Sequence, residues 1–202
     1  MKYAIKATIK NIIVAFLIVI AFFGLIYVFL GRKIELNISL INKIAVDTSS
    51  KKNEVMSIDL DTNKIQNYPE YGTQYATIEI PKINVDLPVY FGSTLDVLKN
   101  GVGHDSASFF PGEGGSIIYM GHNSQNVFRR FSELSKGDEI TIKAAYGEFK
   151  YKIYDMKLVD ETDLAALPIQ KDEEILMCYT CYPFNNIGYA TQRYVVYAEL
   201  ES

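Results

Sequence analysis

The 202-residue chain has no tryptophan, two cysteines, two histidines and six prolines. So few cysteines exclude a disulfide-stapled scaffold. Thirteen glycines without a three-residue period exclude collagen, and 49% hydrophobic residues exclude a disordered chain. Basic residues are scarce where a nucleic-acid surface would need them. Of 20 Lys and Arg, five lie in residues 1–33, which hold no acid, leaving 15 against 24 acids in the rest. An acidic body without a basic stripe cannot displace the counterions of a phosphate backbone, which excludes nucleic acid as a partner. Repeats of 20–50 residues and low-complexity tracts are absent too.

Only one long apolar run is present, residues 12–30, which carry no charge. At about 1.5 Å per residue such a helix is roughly 28 Å long, the thickness of a bilayer's hydrocarbon core. The run is longer than the apolar region of a cleaved signal peptide and ends without a small-x-small site. It reads as an uncleaved transmembrane signal anchor. Lys2, Lys6 and Lys10 before it, against Arg32, Lys33 and Lys43 after it, favour a cytoplasmic N-terminus. The expected organisation is a cytoplasmic N-terminus (1–11), the anchor (12–30), an extracytoplasmic linker or stalk (31–71) and one catalytic domain (72–202). Leu36, Leu40 and Ile44 have the spacing of a short stalk helix.

From Tyr75 onward the period is two. Ile78 and Ile80, Ile83, Val85 and Leu87, Ile140 and Ile142, and Phe149, Tyr151 and Ile153 all alternate with polar residues, as in strands with one wet face. Residues 116–120 and 175–179 are apolar on both faces, as in central strands. Residues 193–200 form another strand. Short helices interrupt the pattern: Ser93 or Thr94 caps residues 95–99, Phe128, Phe131 and Leu134 recur at three-residue spacing, and residues 163–167 make a turn before Pro168. The fold class is therefore mostly β, a closed or nearly closed barrel with short helices.

Cys178 and Cys181 form C-x-x-C, a spacing shared by redox and zinc sites. A zinc site needs two more ligands, and a thioredoxin-like site needs a helix after the first cysteine; a strand surrounds this pair instead. Three residues of extended strand span about 10 Å, beyond the roughly 7 Å Cα separation a disulfide bridges. Cys178 is expected as a small core residue. Cys181 ends the run before a loop, and Arg193 opens the final strand. Antiparallel pairing would set the two side by side, where a guanidinium stabilises a thiolate and a developing oxyanion. His122 follows a buried strand and a glycine, so it borders the same mouth if the strands align. A Cys–His pair supplies a nucleophile and a general acid. His104, flanked by glycines, reads as a loop-fixing hydrogen-bonder.

In this setting the chain resembles the sortase family. The resemblance rests on Ile-Glu-Ile-Pro-Lys-Ile at 78–83 with Pro88 and Val89, Gly-Val-Gly-His at 101–104, Pro-Gly-Glu-Gly-Gly at 111–115 and Gly-His-Asn at 121–123. It continues with Leu-Ser-Lys-Gly-Asp at 134–138, Thr-Cys-Tyr-Pro at 180–183 and Arg-Tyr-Val-Val at 193–196, covering roughly residues 75–200. It implies an eight-stranded sortase-type β-barrel and a cysteine transpeptidase. By residue, it implies that Cys181 is the nucleophile, His122 the general acid/base, Arg193 the substrate-positioning and oxyanion residue, and Thr180 a substrate-groove residue. Such enzymes cut a C-terminal signal resembling Leu-Pro-x-Thr-Gly after its Thr, hold a thioester, and pass the protein to an amine of cell-wall peptidoglycan or of a pilin.

The Thr-Cys-Tyr-Pro-Phe stretch and the short gap between Tyr154 and Ile175 look most like class D sortases. The implied partners are surface proteins with such signals and a peptidoglycan amine acceptor. The implied location is the outer face of a Gram-positive-type cell membrane, single-pass, with the N-terminus cytoplasmic. No cofactor is implied. Some members bind calcium through loop acids, but Asp160, Glu161, Asp163, Asp172, Glu173 and Glu174 read as a solvated charged loop. Cys178 stands where the family usually has another apolar residue.

Overall fold

The computed structural model describes residue 16 and residues 19–21, 56–59, 61–184 and 189–201. It divides into two compact units, 1–38 and 39–202. In the first, Phe16, Val19, Ile20 and Ala21 are helical and exposed; the rest of the expected anchor (12–30), and the stripe of Leu36, Leu40 and Ile44, lie outside the described residues. Among the described residues no helix is long and apolar enough to cross a membrane.

The second unit is built from strands β1 (Ser57–Asp59), β2 (Lys64–Gln66), β3 (Gln74–Ile80), β4 (Val85–Phe91), β5 (Val102–His104), β6 (Ser116–Met120), β7 (Glu139–Ala144), β8 (Gly147–Asp160), β9 (Ile175–Tyr182) and β10 (Gln192–Leu200). Eight of them close a barrel in the order β10-β8-β7-β3-β4-β5-β6-β9. Closure leaves no sheet edge unpaired, the usual way an antiparallel-rich sheet avoids edge-to-edge association. β1 and β2 form a separate antiparallel pair within the stretch expected as a connector. Their Ile65 is buried, and its N–H donates to the Glu113 carboxylate.

The alternation read from the sequence follows the barrel wall. Ile78, Ile80, Ile140, Ile142, Tyr151 and Ile153 are buried, while Lys143 and Glu79 pair outside at 2.6 Å. Each fully buried Ile contributes about 1.5–3 kcal/mol, whereas a surface ion pair contributes about 0–1 kcal/mol, so the inner face decides the register. Ile83 departs from the expected strand: it sits in a 3-10 turn (Pro81–Ile83) that Pro81 opens, and is still buried. A four-residue helix, α1 (Leu95–Leu98), starts after Thr94, whose side chain makes no cap hydrogen bond. Further 3-10 turns span Arg129–Glu133 and Leu164–Ala166.

Two features set up the site. First, the two doubly apolar strands, β6 and β9, pair in parallel, Ser116↔Ile175 through Met120↔Tyr179. Second, β8 carries one extra residue against β10: Tyr197 pairs with Asp155 and Ala198 with Ile153, so Tyr154 is bulged.

His104, Tyr75 and Tyr119 form a buried hydrogen-bonded chain within the wall. His104 is fully buried in β5 rather than on a loop. Its Nε2 lies 3.1 Å from the carbonyl of Phe109, which only accepts, so Nε2 carries the proton and Nδ1 accepts from the Tyr75 hydroxyl at 2.8 Å. Tyr119 then donates to Tyr75 at 2.7 Å. Burial holds the His104 pKa down, to about 3. The imidazole is a neutral structural group.

Candidate active site

Three strand ends meet at one rim of the barrel. The β6–β9 register ends at Met120↔Tyr179, and Gly121 N–H extends it by donating to the Tyr179 carbonyl at 3.1 Å. His122 comes two residues after that last pair, in the loop that leaves β6. On the other side of β9, Arg193 is the Cα partner of Cys181 in the antiparallel β9–β10 pair. Cys181 and Arg193 thus face each other across β9 and β10, and the chain that carries His122 leaves the neighbouring β6 at the same rim. Strand β9 continues through Cys181 to Tyr182, so the thiol sits at a strand end and is partly exposed.

The loop that carries His122 is fixed by its own backbone. The His122 carbonyl accepts from Ser124 N–H at 2.9 Å and from Phe128 N–H at 3.1 Å. Gly121 must lack a side chain, because a Cβ there would stand 2.4 Å from the buried Phe128 ring, itself stacked on Phe131 at 4.2 Å. Asn123 joins this loop to the one after the cysteine. Its Nδ2 donates to the Pro183 carbonyl at 3.0 Å, its Oδ1 accepts from Arg129 Nε at 3.3 Å, and its carbonyl accepts from Arg129 Nη2 at 3.2 Å. The bond to Pro183 joins the loop that carries His122 to the segment that follows β9.

Arg193 is held on several sides. Nη1 donates to the carbonyls of Ala190 (2.7 Å) and Gln192 (2.9 Å), and Nη2 donates to Glu161 Oε2 at 2.9 Å. Glu161 Oε1 accepts from the Tyr189 hydroxyl.

Alternation along β9 decides what lines the outer face. Cys181 shares its face with Tyr179, Met177 and Ile175. Their partners on that face are Ile118 and Met120 on β6 and Val195 and Tyr197 on β10. Ile118, Met177, Val195 and Tyr197 form a buried cluster, packed against Val159, Leu167, Ile175 and Tyr179. A cleft of about 350 Å³ lies against this face, floored by Ile175, Met177 and Tyr197 and walled by Ala165, Ala166 and Pro168 of the β8–β9 loop. The Tyr197 hydroxyl fastens that wall by donating to the Ala166 carbonyl at 2.7 Å. Burial, with Asp105 nearby, pushes the Tyr179 hydroxyl up to about 12, against a smaller opposing effect of Arg193, so it stays protonated at neutral pH.

Residues of the other parity face the barrel interior. Cys178 is fully buried, and burial alone pushes its thiol pKa up. Both cysteines are free thiols. Thr180 is only 1% exposed and lies on the Cys178 side of the strand. The period of two is the reason: neighbours on a strand point to opposite faces. Three of the six loop acids are engaged with the protein itself. Glu174 accepts from Gly112 N–H, Gly114 N–H and the Tyr151 hydroxyl, Asp160 from Thr162, and Glu161 from Arg193. Among the described residues no group of three or more His, Cys, Asp or Glu is placed to hold a metal ion. Sequence reasoning noticed Glu161 only as one acid of a charged loop and gave Asn123 no role; their partners are 32 and 60 residues away.

An eight-stranded barrel with a partly exposed strand-end cysteine paired with an arginine, and a histidine in the loop that follows the adjacent strand, fits a cysteine-type acyl-transfer scaffold. The Sortase domain family model matches residues 78–201, and the chain belongs to the sortase family of transpeptidases. It is 42% identical to Sortase D of Bacillus subtilis over 153 residues, 76% of this chain and 75% of that protein. Among solved structures, the Sortase D5 transpeptidase of Clostridium perfringens matches with a TM-score of 0.61 and 34% identity, covering 67% of this chain and 83% of that one. Sortase C of Clostridium perfringens SM101 matches with a TM-score of 0.59 and 29% identity, covering 69% and 77%. The chain is most like class D sortases.

Proposed function

We propose that this protein cleaves a Leu-Pro-x-Thr-Gly-like C-terminal sorting signal after its Thr and transfers the protein to an amine of cell-wall peptidoglycan. What supports this reading is the pairing of Cys181 with Arg193 at the rim of the barrel where β6 ends and leads into His122.

The chemistry follows from the three side chains. Cys181 Sγ, as thiolate, attacks the Thr carbonyl carbon. Arg193 receives the charge that develops on the carbonyl oxygen. As the C–N bond breaks, protonated His122 gives its proton to the departing glycine amine. The protein is left as a thioester on Cys181. An incoming amine then attacks that carbonyl, His122 takes its proton, and the thiolate leaves. Splitting one difficult transfer into two through a thioester is what the nucleophile contributes. Every group used is a side chain of this chain, so the reaction as proposed needs no cofactor.

Residues 12–30 anchor the enzyme in the membrane with its N-terminus cytoplasmic, which puts the domain on the side where surface proteins and peptidoglycan are. Cys181→Ala removes the nucleophile and abolishes both cleavage of a signal peptide and transfer to an added amine such as triglycine. Residual cleavage by that variant above the peptide's spontaneous rate would refute the assignment.

A further inference from the structure

The charged group engaged with Arg193 is a carboxylate that the proposed chemistry does not use. Glu161 follows β8 directly, and its N–H donates to the Thr191 carbonyl at 2.9 Å, just before Arg193 enters β10. Both of its carboxylate oxygens are engaged, one by Arg193 Nη2 and the other by the Tyr189 hydroxyl. The two charged side chains are 22% and 19% exposed, less than the other ion pairs of the barrel, so this pair is shielded from the screening that weakens surface pairs. Arg193 has five N–H donors. Two at Nη1 go to the Ala190 and Gln192 carbonyls and one at Nη2 to Glu161. The described partners thus take both Nη1 donors and one Nη2 donor, and among the described residues none takes Nε–H or the second Nη2–H.

We propose that Glu161 is a positioning residue for Arg193, holding the guanidinium edge-on so that its remaining donors are aimed before substrate arrives. This rests on the reading that Arg193 faces the reacting carbonyl. An arginine side chain free to rotate would have to be ordered in the transition state. One clamped in advance supplies its hydrogen bonds without that loss. The clamp also crosses between elements: β8 supplies Glu161 and β10 supplies Arg193. A carboxylate that merely competed with substrate for the cation would act in the opposite sense, because its removal would release Arg193 and speed the reaction.

The experiment uses the full chain in detergent with a fluorogenic Leu-Pro-x-Thr-Gly peptide panel. It compares Glu161→Ala, Glu161→Gln, Arg193→Ala, the Glu161→Ala/Arg193→Ala double variant and Cys181→Ala. Glu161→Ala is expected to lower kcat/KM about 10- to 100-fold, the scale of a small misplacement of a catalytic group. Glu161→Gln, which keeps the length and one acceptor oxygen, loses less. In the Arg193→Ala background, Glu161→Ala costs less than about twofold further, because the two act as one unit. Alkylation of Cys181 by iodoacetamide keeps its rate within about twofold in Glu161→Ala, a readout that general unfolding would move. Unchanged or raised kcat/KM in both Glu161 variants, or full additivity with Arg193→Ala, overturns the proposal while leaving the transpeptidase reading intact. Activity in Cys181→Ala, or an Arg193→Ala variant as active as the parent, instead defeats that reading, and this proposal with it.

Discussion

Cys178 and Cys181 sit three residues apart on β9 and face opposite ways. The first is fully buried inside the barrel and the second is at the outer rim. Burial keeps the Cys178 thiol protonated, so only one thiol is available to reagents that need a thiolate. Native protein treated with iodoacetamide takes up one equivalent, at Cys181 by peptide mapping, and the second only after denaturation. Cys178→Ala keeps cleavage activity while lowering the melting temperature by a few degrees. Rapid native labelling of Cys178 would contradict its burial.

Asn123 ties the histidine loop to the cysteine loop through the Pro183 carbonyl. Asn123→Ala removes that bond and the one from Arg129 Nε. It is expected to cost about 1 kcal/mol of stability and about tenfold in kcat/KM, since it loosens the distance between two reacting groups. Urea titration and peptide cleavage on the same preparation check both figures. Asn123→Asp keeps the acceptor for Arg129 and loses the donor to Pro183, so activity falls more than stability does.

Acid should weaken the fold through His104. Its folded pKa is about 3, below the ordinary value near 6.5 of an unfolded chain. The unfolded state therefore binds a proton that the folded state refuses. This contribution to stability is complete above pH 6.5 and is lost as pH falls from there toward 3. Between pH 7 and pH 5 the loss from this group is about 2 kcal/mol. The comparison is of urea midpoints at the two pH values. In His104→Asn, which is less stable throughout, the same pH step costs about 2 kcal/mol less. An equally steep fall in the variant would assign the acid sensitivity elsewhere.

The cleft wall offers a separate test. Ala165 is exposed and lines the cleft near Tyr197 and Met177. Ala165→Trp partly fills that space, remote from the reacting groups. It is expected to raise KM about tenfold and leave kcat within about twofold, as when binding shared by ground and transition states is removed. Steady-state kinetics on one signal peptide separate the two.

The sequence shows the wall of this barrel and hides its joints. Alternation at 78–80, 140–142 and 149–153 follows local burial, so it can be read one strand at a time. The Cys181–Arg193 pairing is visible as well, because a loop joins the two strands directly. The parallel alignment of β6 with β9, which sets the end of β6 before His122 against Tyr179, links segments some sixty residues apart and leaves no periodic trace. His104 reads as a loop residue because a three-residue strand is too short to alternate. Ile83 reads as strand because burial at a proline-led turn mimics the period. Thr180 is named through resemblance to a motif, which carries no information about the face its side chain takes.

The bulge at Tyr154 reverses the phase of β8 along its length. Below it, odd-numbered residues such as Tyr151 and Ile153 pack into the barrel; above it, Asp155, Lys157 and Val159 look outward over the cleft. One strand thus lines the barrel interior at one end and the outer cleft at the other. A β8 that kept strict alternation through Tyr154 would instead turn Asp155, Lys157 and Val159 inward, burying a lysine, whereas deleting Tyr154 would let Asp155 follow Ile153 with both faces kept.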